Sequence, residues 1–117
     1  MLQMRPYKHP AASELVLERV LYALSDSIRL DIVRHLAHVE CATCGELDGG
    51  RPKSTVSHHF KVLREAGLVL TESTGTTHMN TLRHADIESR FPGLLSAILS
   101  QGAPAKRKAG AKKAKAA

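Results

Sequence analysis

The chain of 117 residues has no tryptophan, two tyrosines and two phenylalanines. That excludes an aromatic core. Leu, Val, Ile and Ala have to build it, and they supply most of the 43% hydrophobic content. No apolar run approaches the roughly 20 residues of a bilayer-spanning helix, and Met1 to Pro10 lacks the apolar stretch of a secretory signal. The expectation is a cytoplasmic protein with no membrane partner. Cysteine is scarce, with only Cys41 and Cys44, and a permanent disulfide is not expected in that compartment. A Gly-rich phosphate loop, a Ser/His/Asp grouping and a paired carboxylate site are all missing, so no enzyme is expected.

Acid is also missing from one stretch. Residues 103–117 contain Lys106, Arg107, Lys108, Lys112, Lys113 and Lys115 and no Asp or Glu, and these six charges equal the whole formal net charge of +6. Residues 1–102 are therefore neutral, so the high pI does not mark the folded body as a nucleic-acid binder; local clustering has to do that. The Lys/Ala-rich tail, 102–117, lacks apolar periodicity and is expected to be disordered, able at most to add salt-sensitive phosphate binding. Residues 1–12, with Pro6 and Pro10, are expected to form a flexible arm. One domain is expected between them, over 13–101.

Within that domain the pattern is mainly helical. Ser13 can cap a helix over 14–24, where Val16, Val20 and Leu24 step by four and Leu17 and Leu21 widen the stripe. Such width suits burial on more than one side, as at a dimer interface, or an ordinary core helix. Ser25 or Asp26 can cap a second helix reaching about Val39, with Ile28, Ile32, Leu36 and Val39 on one face and Leu30, Val33 and Ala37 on another. Thr43-Cys44-Gly45-Glu46 has the form of a capping box and predicts a short third helix before Asp48-Gly49-Gly50. Pro52 suits the first turn of a fourth helix over 53–66, which Gly67 ends. Leu68 to Ser73 and the Thr-rich run 76–83 predict a two-stranded hairpin around Thr74-Gly75. A last helix is expected over 85–100, interrupted by Pro92-Gly93.

The fourth helix carries the functional reading. At about 100° per residue, Val56, His59, Phe60 and Leu63 share one side, and Ser54, Ser57, His58 and Lys61 share the other. The outer side is short, hydroxyl-bearing and cationic, with no acid before Glu65, and Arg51, Lys53 and Arg64 flank it. Hydroxyls and imidazoles can bond base edges or phosphates, and Lys and Arg neutralise phosphates. A plain solvated face has the same composition. The order of elements decides: short helix, Gly-rich turn, polar helix with a Gly cap, then a two-stranded wing. That is a winged helix-turn-helix, whose partner is double-stranded DNA. A winged-helix protein-interaction module without operator binding is the alternative, but it calls for an apolar or acidic outer face.

The run Ser54-Thr55-Val56-Ser57-His58-His59-Phe60-Lys61-Val62-Leu63-Arg64-Glu65-Ala66-Gly67-Leu68-Val69 resembles the recognition-helix signature of the arsenic-repressor (ArsR/SmtB) family. Leu24-Ser25-Asp26-Ser27-Ile28-Arg29-Leu30-Asp31-Ile32-Val33 resembles that family's L-x-D-x-x-R-x-x-I-L segment. The resemblance covers roughly residues 14–100. It implies a homodimer, paired through its first and last helices, that represses by occupying a palindromic operator. It also implies that Ser54, Thr55, Ser57, His58 and Lys61 contact DNA and that His59 sits at the edge of the core.

Many members of that family leave DNA when a metal or metalloid binds. The arsenic-sensing type carries Glu-Leu-Cys-Val-Cys near the start of its third helix, whereas Glu40 to Leu47 here holds C-x-x-C in place of C-x-C. Three readings of Cys41 and Cys44 stay open. They can bind a soft or borderline metal ion such as zinc or copper, with His35 and His38 as further ligands, since these four step by three. They can be a thiol switch. Or they can be small buried residues with no sensing role and no cofactor. The family's other metal site, of Asp and His on the last helix, finds only His84, Asp86 and Glu88 here, with no second His further along.

Overall fold

A computed structural model of the chain describes residues 7–101. Residues 1–6 of the expected arm and the Lys/Ala-rich tail lie outside the described residues. A 3₁₀ turn, Ala12–Glu14, leads into α1 (Leu17–Leu24) and α2 (Ser27–Leu36). A short strand β1 (Ala42–Thr43) runs directly into α3 (Cys44–Leu47), and α4 (Lys53–Ala66) follows. The hairpin is β2 (Val69–Thr74) and β3 (Thr77–Leu82), and α5 (His84–Arg90) and α6 (Leu94–Leu99) close the domain.

The helix expected over 14–24 is broken at its start, and Ser13 lies inside the 3₁₀ turn rather than capping it. Leu15 and Val16 are extended, at φ/ψ −68°/136° and −116°/127°. The cause is tertiary. Leu15 is fully buried against Gly67, and its carbonyl accepts a hydrogen bond from Arg90 Nε at 3.1 Å. A helical Leu15 would spend that carbonyl on its own helix.

Of the two expected caps for α2, Asp26 is the one used. Its Oδ2 accepts from the amides of Ile28 at 2.9 Å and Arg29 at 3.1 Å. Arg29, Ile32, Val33 and Leu36 form the buried stripe. The helix stops at Leu36, short of Val39, and Val39 is exposed. His38 Nδ1 donates to the Arg34 carbonyl at 2.8 Å, occupying one of the acceptors left open at a helix end.

Around α3 and α4 the structure follows the sequence pattern closely. Thr43 Oγ1 accepts from the Glu46 amide at 3.1 Å while Glu46 Oε1 accepts from the Thr43 amide at 2.7 Å, completing the capping box. Gly67 ends α4 in the left-handed region at φ 89°, and the Leu68 amide reaches back to the Leu63 carbonyl at 3.0 Å.

The sheet has one strand more than the expected hairpin. β2 and β3 pair antiparallel from Val69↔Leu82 to Thr74↔Thr77, and β1 adds to the other edge of β3 with Ala42 opposite Asn80. The order is β1-β3-β2. This ties the segment before α3 to the wing. The last expected helix is two helices. Gly93, at φ 83°, turns the chain, and the Glu88 carboxylate accepts from the amides of Gly93 at 2.9 Å and Ser96 at 3.0 Å to cap α6. Those bonds hold the Glu88 carboxyl below its ordinary pKa.

Candidate nucleic-acid interface

The two sides of α4 separate cleanly. Val56, His59, Phe60, Leu63 and Ala66 are buried. Lys53, Ser54, Thr55, Ser57, His58 and Lys61 are all exposed, and Arg64 is half-buried at the end of the same face, one turn beyond Lys61. Among the described residues no side chain caps the first turn of α4, because Pro52 occupies the N-cap position. The free amides and the positive end of the helix therefore stand beside the hydroxyls of Ser54 and Thr55, an arrangement suited to phosphate.

The inner side holds α4 against α1 and α2 by more than apolar contact. Arg29 is 5% exposed, and each nitrogen of its guanidinium donates a hydrogen bond. Nε donates to the Ala23 carbonyl at 2.8 Å, Nη2 to the Tyr22 carbonyl at 3.3 Å, and Nη1 to His59 Nδ1 at 3.2 Å. An arginine can only donate, so His59 Nδ1 accepts and the imidazole is neutral with its proton on Nε2. Burial lowers the His59 pKa; Asp26 nearby opposes this and Arg29 adds to it, and the net shift is downward. Asp26 Oδ2 lies 3.9 Å from the same Nδ1, but with a neutral ring this is no ion pair. Arg29 thus fastens the C-terminal carbonyls of α1 to a residue of α4. A charged residue on the stripe of Ile32, Val33 and Leu36 is the sequence signal that marks it.

Two other sets of polar contacts carry no sequence signal. Asn80 is fully buried in β3. Its Oδ1 accepts from Thr71 Oγ1 at 2.7 Å, and its Nδ2 donates to the Ala42 carbonyl at 3.2 Å and lies 3.3 Å from Cys44 Sγ. Residues 7–9 lie on the wing: the Thr71 amide donates to His9 Nε2 at 3.0 Å, and Tyr7 Oη pairs with His78 Nδ1 at 3.2 Å.

The candidate metal ligands are less concentrated than the step of three suggests. Cys41 is exposed before β1, and Cys44 is half-buried at the first position of α3. His35 is exposed in the last turn of α2, and His38 is exposed beyond it and bonded to Arg34. Among the described residues, no three His, Cys, Asp or Glu side chains group as a metal site. On α5, Asp86 pairs with Arg83 at 3.0 Å and Glu88 caps α6.

Comparison with known proteins agrees with this geometry. A helix-turn-helix domain family matches residues 24–72. The chain is 37% identical over 84 residues to the HTH-type transcriptional regulator YceK of Bacillus subtilis, covering 68% of this chain and 83% of that one. It is 37% identical over 79 residues to the arsenical resistance operon repressor of Staphylococcus aureus, covering 67% and 76%. Among solved structures, the transcriptional repressor BigR from Xylella fastidiosa matches with a TM-score of 0.54 and 27% identity, covering 64% of this chain and 85% of that one. An ArsR family transcriptional regulator shares the fold with a TM-score of 0.59 at 19% identity, covering 69% and 90%. The polar outer face of α4, its Gly cap and the wing have the same meaning here: the chain belongs to the arsenic-repressor (ArsR/SmtB) family of winged helix-turn-helix, DNA-binding transcriptional regulators.

Proposed function

We propose that the protein is a homodimeric cytoplasmic repressor that lays α4 in the major groove of a palindromic operator. Ser54, Thr55, Ser57 and His58 face base edges and nearby phosphates, and Lys53, Lys61 and Arg64 neutralise the backbone. The observation that carries this reading is the division of α4 into a buried apolar side and a wholly polar, cationic outer side. A protein-interaction module would show apolar or acidic residues there. No described helix is long and apolar enough to cross a membrane.

Pairing through α1 and α6 is supported by the unspent apolar surface of α1. Leu17 and Leu21 are 40% and 45% exposed, and Val16 just before them is 43% exposed. Leu94, Ile98 and Leu99 of α6 remain partly uncovered. Loss of the dimer in Leu21→Glu, seen by sedimentation, is the expected outcome.

A release signal arriving at Cys41 and Cys44 is supported by the exposure of Cys41 and by the contact of Cys44 with Asn80 of the wing. The test is a gel shift on DNA upstream of its own gene, repeated with zinc, copper(I), arsenite and peroxide. Release by one agent, abolished in a Cys41→Ser/Cys44→Ser double variant, is expected; indifference to all four would leave the thiols without a sensing role. Lys61→Ala and His58→Ala should weaken specific binding and leave the dimer intact. Full operator affinity in both would remove α4 as the reader.

A further inference from the structure

Tyr7, Lys8 and His9 lie where the reader helix ends and the wing begins. β2 is an edge strand, and its Thr71 amide is taken by His9 Nε2 at 3.0 Å. An accepting Nε2 carries no proton. Burial, and then the charges of Arg83 and Arg64, keep the His9 pKa below its ordinary value. Tyr7 meets His78 of β3 edge-on, with ring centroids 5.6 Å apart at 71°. The Arg64 guanidinium carbon stands 4.3 Å from the centre of the Tyr7 ring.

Arg64 follows Lys61 by one turn and Ser57 by two, so it belongs to the outer face of α4. Among the described residues, its guanidinium has no hydrogen-bond acceptor and no carboxylate partner. Stacking on a ring covers the face of a guanidinium and leaves its N–H edge open. That edge is a planar fork matched to two phosphate oxygens. A free arginine loses much of its rotamer freedom when it grips a phosphate; a stacked one has lost it beforehand.

We propose that residues 7–9 are a third part of the DNA-facing surface, in which Tyr7 is a positioning residue. Tyr7 holds Arg64 ready to fork an operator phosphate, and His9 fastens the arm to β2 so that the ring stays in place. The partner is the phosphodiester backbone, and the idea rests on α4 being the reader helix. It separates Arg64 from Lys61: one cation is set by a neighbour before binding and the other is not.

The experiment is a fluorescence-anisotropy titration of the full chain with a labelled duplex from DNA upstream of its gene, over a range of salt. Arg64→Gln should weaken binding about tenfold and lower the salt slope by about one. Tyr7→Leu should weaken it about fivefold, and Tyr7→Phe, which keeps the ring, should retain most of the affinity. In the Arg64→Gln background, Tyr7→Leu should have no further effect. Unchanged or tighter binding by Tyr7→Leu, or a full additional loss in that background, would overturn the proposal. Lys61→Ala and His58→Ala are run beside them. If those two also bind normally, the reader-helix assignment fails; if they weaken while Tyr7→Leu does not, only the arm proposal fails. Independently of DNA, His9→Ala should speed hydrogen exchange at the Thr71 amide, and unchanged protection there would show that His9 does not fasten the arm.

Discussion

Arg29 Nη1 donates to His59 Nδ1 across 3.2 Å, with both side chains buried. The bond joins α2 to the inner side of α4. It gives a buried guanidinium its third acceptor beside the carbonyls of Tyr22 and Ala23. A buried charge is tolerable when it is hydrogen-bonded, and here each guanidinium nitrogen donates one bond.

Arg29→Met leaves the Ala23 carbonyl and His59 Nδ1 without their donor, while the Tyr22 carbonyl keeps the amide and hydroxyl of Ser25. The expected loss is about 3 kcal/mol of unfolding free energy, since each orphaned buried acceptor costs roughly 1–3 kcal/mol and relaxation recovers part of the sum. Arg29→Lys should lose less but not be neutral, because an ammonium cannot span the three acceptors as a planar fork does. Urea unfolding of both variants measures it.

The same bond sets an acid limit. The His59 pKa is lowered chiefly by burial, with Arg29, His58 and Arg51 acting in the same direction and Asp26 against. The folded state therefore prefers the neutral ring. Its contribution is complete above the ordinary imidazole pKa of about 6.5 and is lost as pH falls through the lower folded value. Stability measured from pH 7 downward should drop in that window. In His59→Asn, whose amide oxygen can stand in for Nδ1 as acceptor and does not titrate, that part of the drop should disappear. An identical profile in the variant would show that His59 is not the group responsible.

Gly67→Ala should be among the most damaging conservative changes. The position has φ 89°, which disfavours any Cβ, and a Cβ there would collide with Leu15 Cδ2. Left-handed strain of about 1–2 kcal/mol and overpacking of about 1–3 kcal/mol act together, so a loss of about 2–5 kcal/mol is expected in thermal or urea unfolding. Leu15→Ala in the Gly67→Ala background should recover part of the overpacking and none of the backbone strain.

Asn80→Leu keeps the branched outline of the side chain and removes the polar partners of Thr71 and Ala42. A loss of about 2–3 kcal/mol is expected from the two groups left unpaired. Amide exchange should rise first in β1, which is joined to the sheet only through β3. Uniform acceleration across all three strands would indicate global rather than local loosening.

What the sequence reveals and hides divides by distance along the chain. α4, its Gly67 cap and the Thr43/Glu46 box are written in residues a few positions apart, and the helix bounds over 53–66 are legible for that reason. The outer face of Ser54, Ser57, His58 and Lys61 follows from helical period alone. The extended break at Leu15 does not, because its causes, Gly67 and Arg90, lie far away in sequence. β1 is two residues long and exists through pairing with β3, so no local pattern marks it. α2 ends three residues before its apolar period does, since Val39 finds no core to enter. The step of three through His35, His38, Cys41 and Cys44 is regular in sequence only, because the helix that would have aligned them ends at Leu36.

The N-terminal segment meets its partners late. His9, Tyr7 and Leu15 bond residues 62, 71 and 75 positions further on. On a ribosome, these first residues emerge long before Thr71, His78 and Arg90 exist to receive them. Closing loops of that length is slow relative to forming α2 or α4, which are held by neighbours. Docking of residues 7–15 therefore has to wait until the wing and α5 have been made.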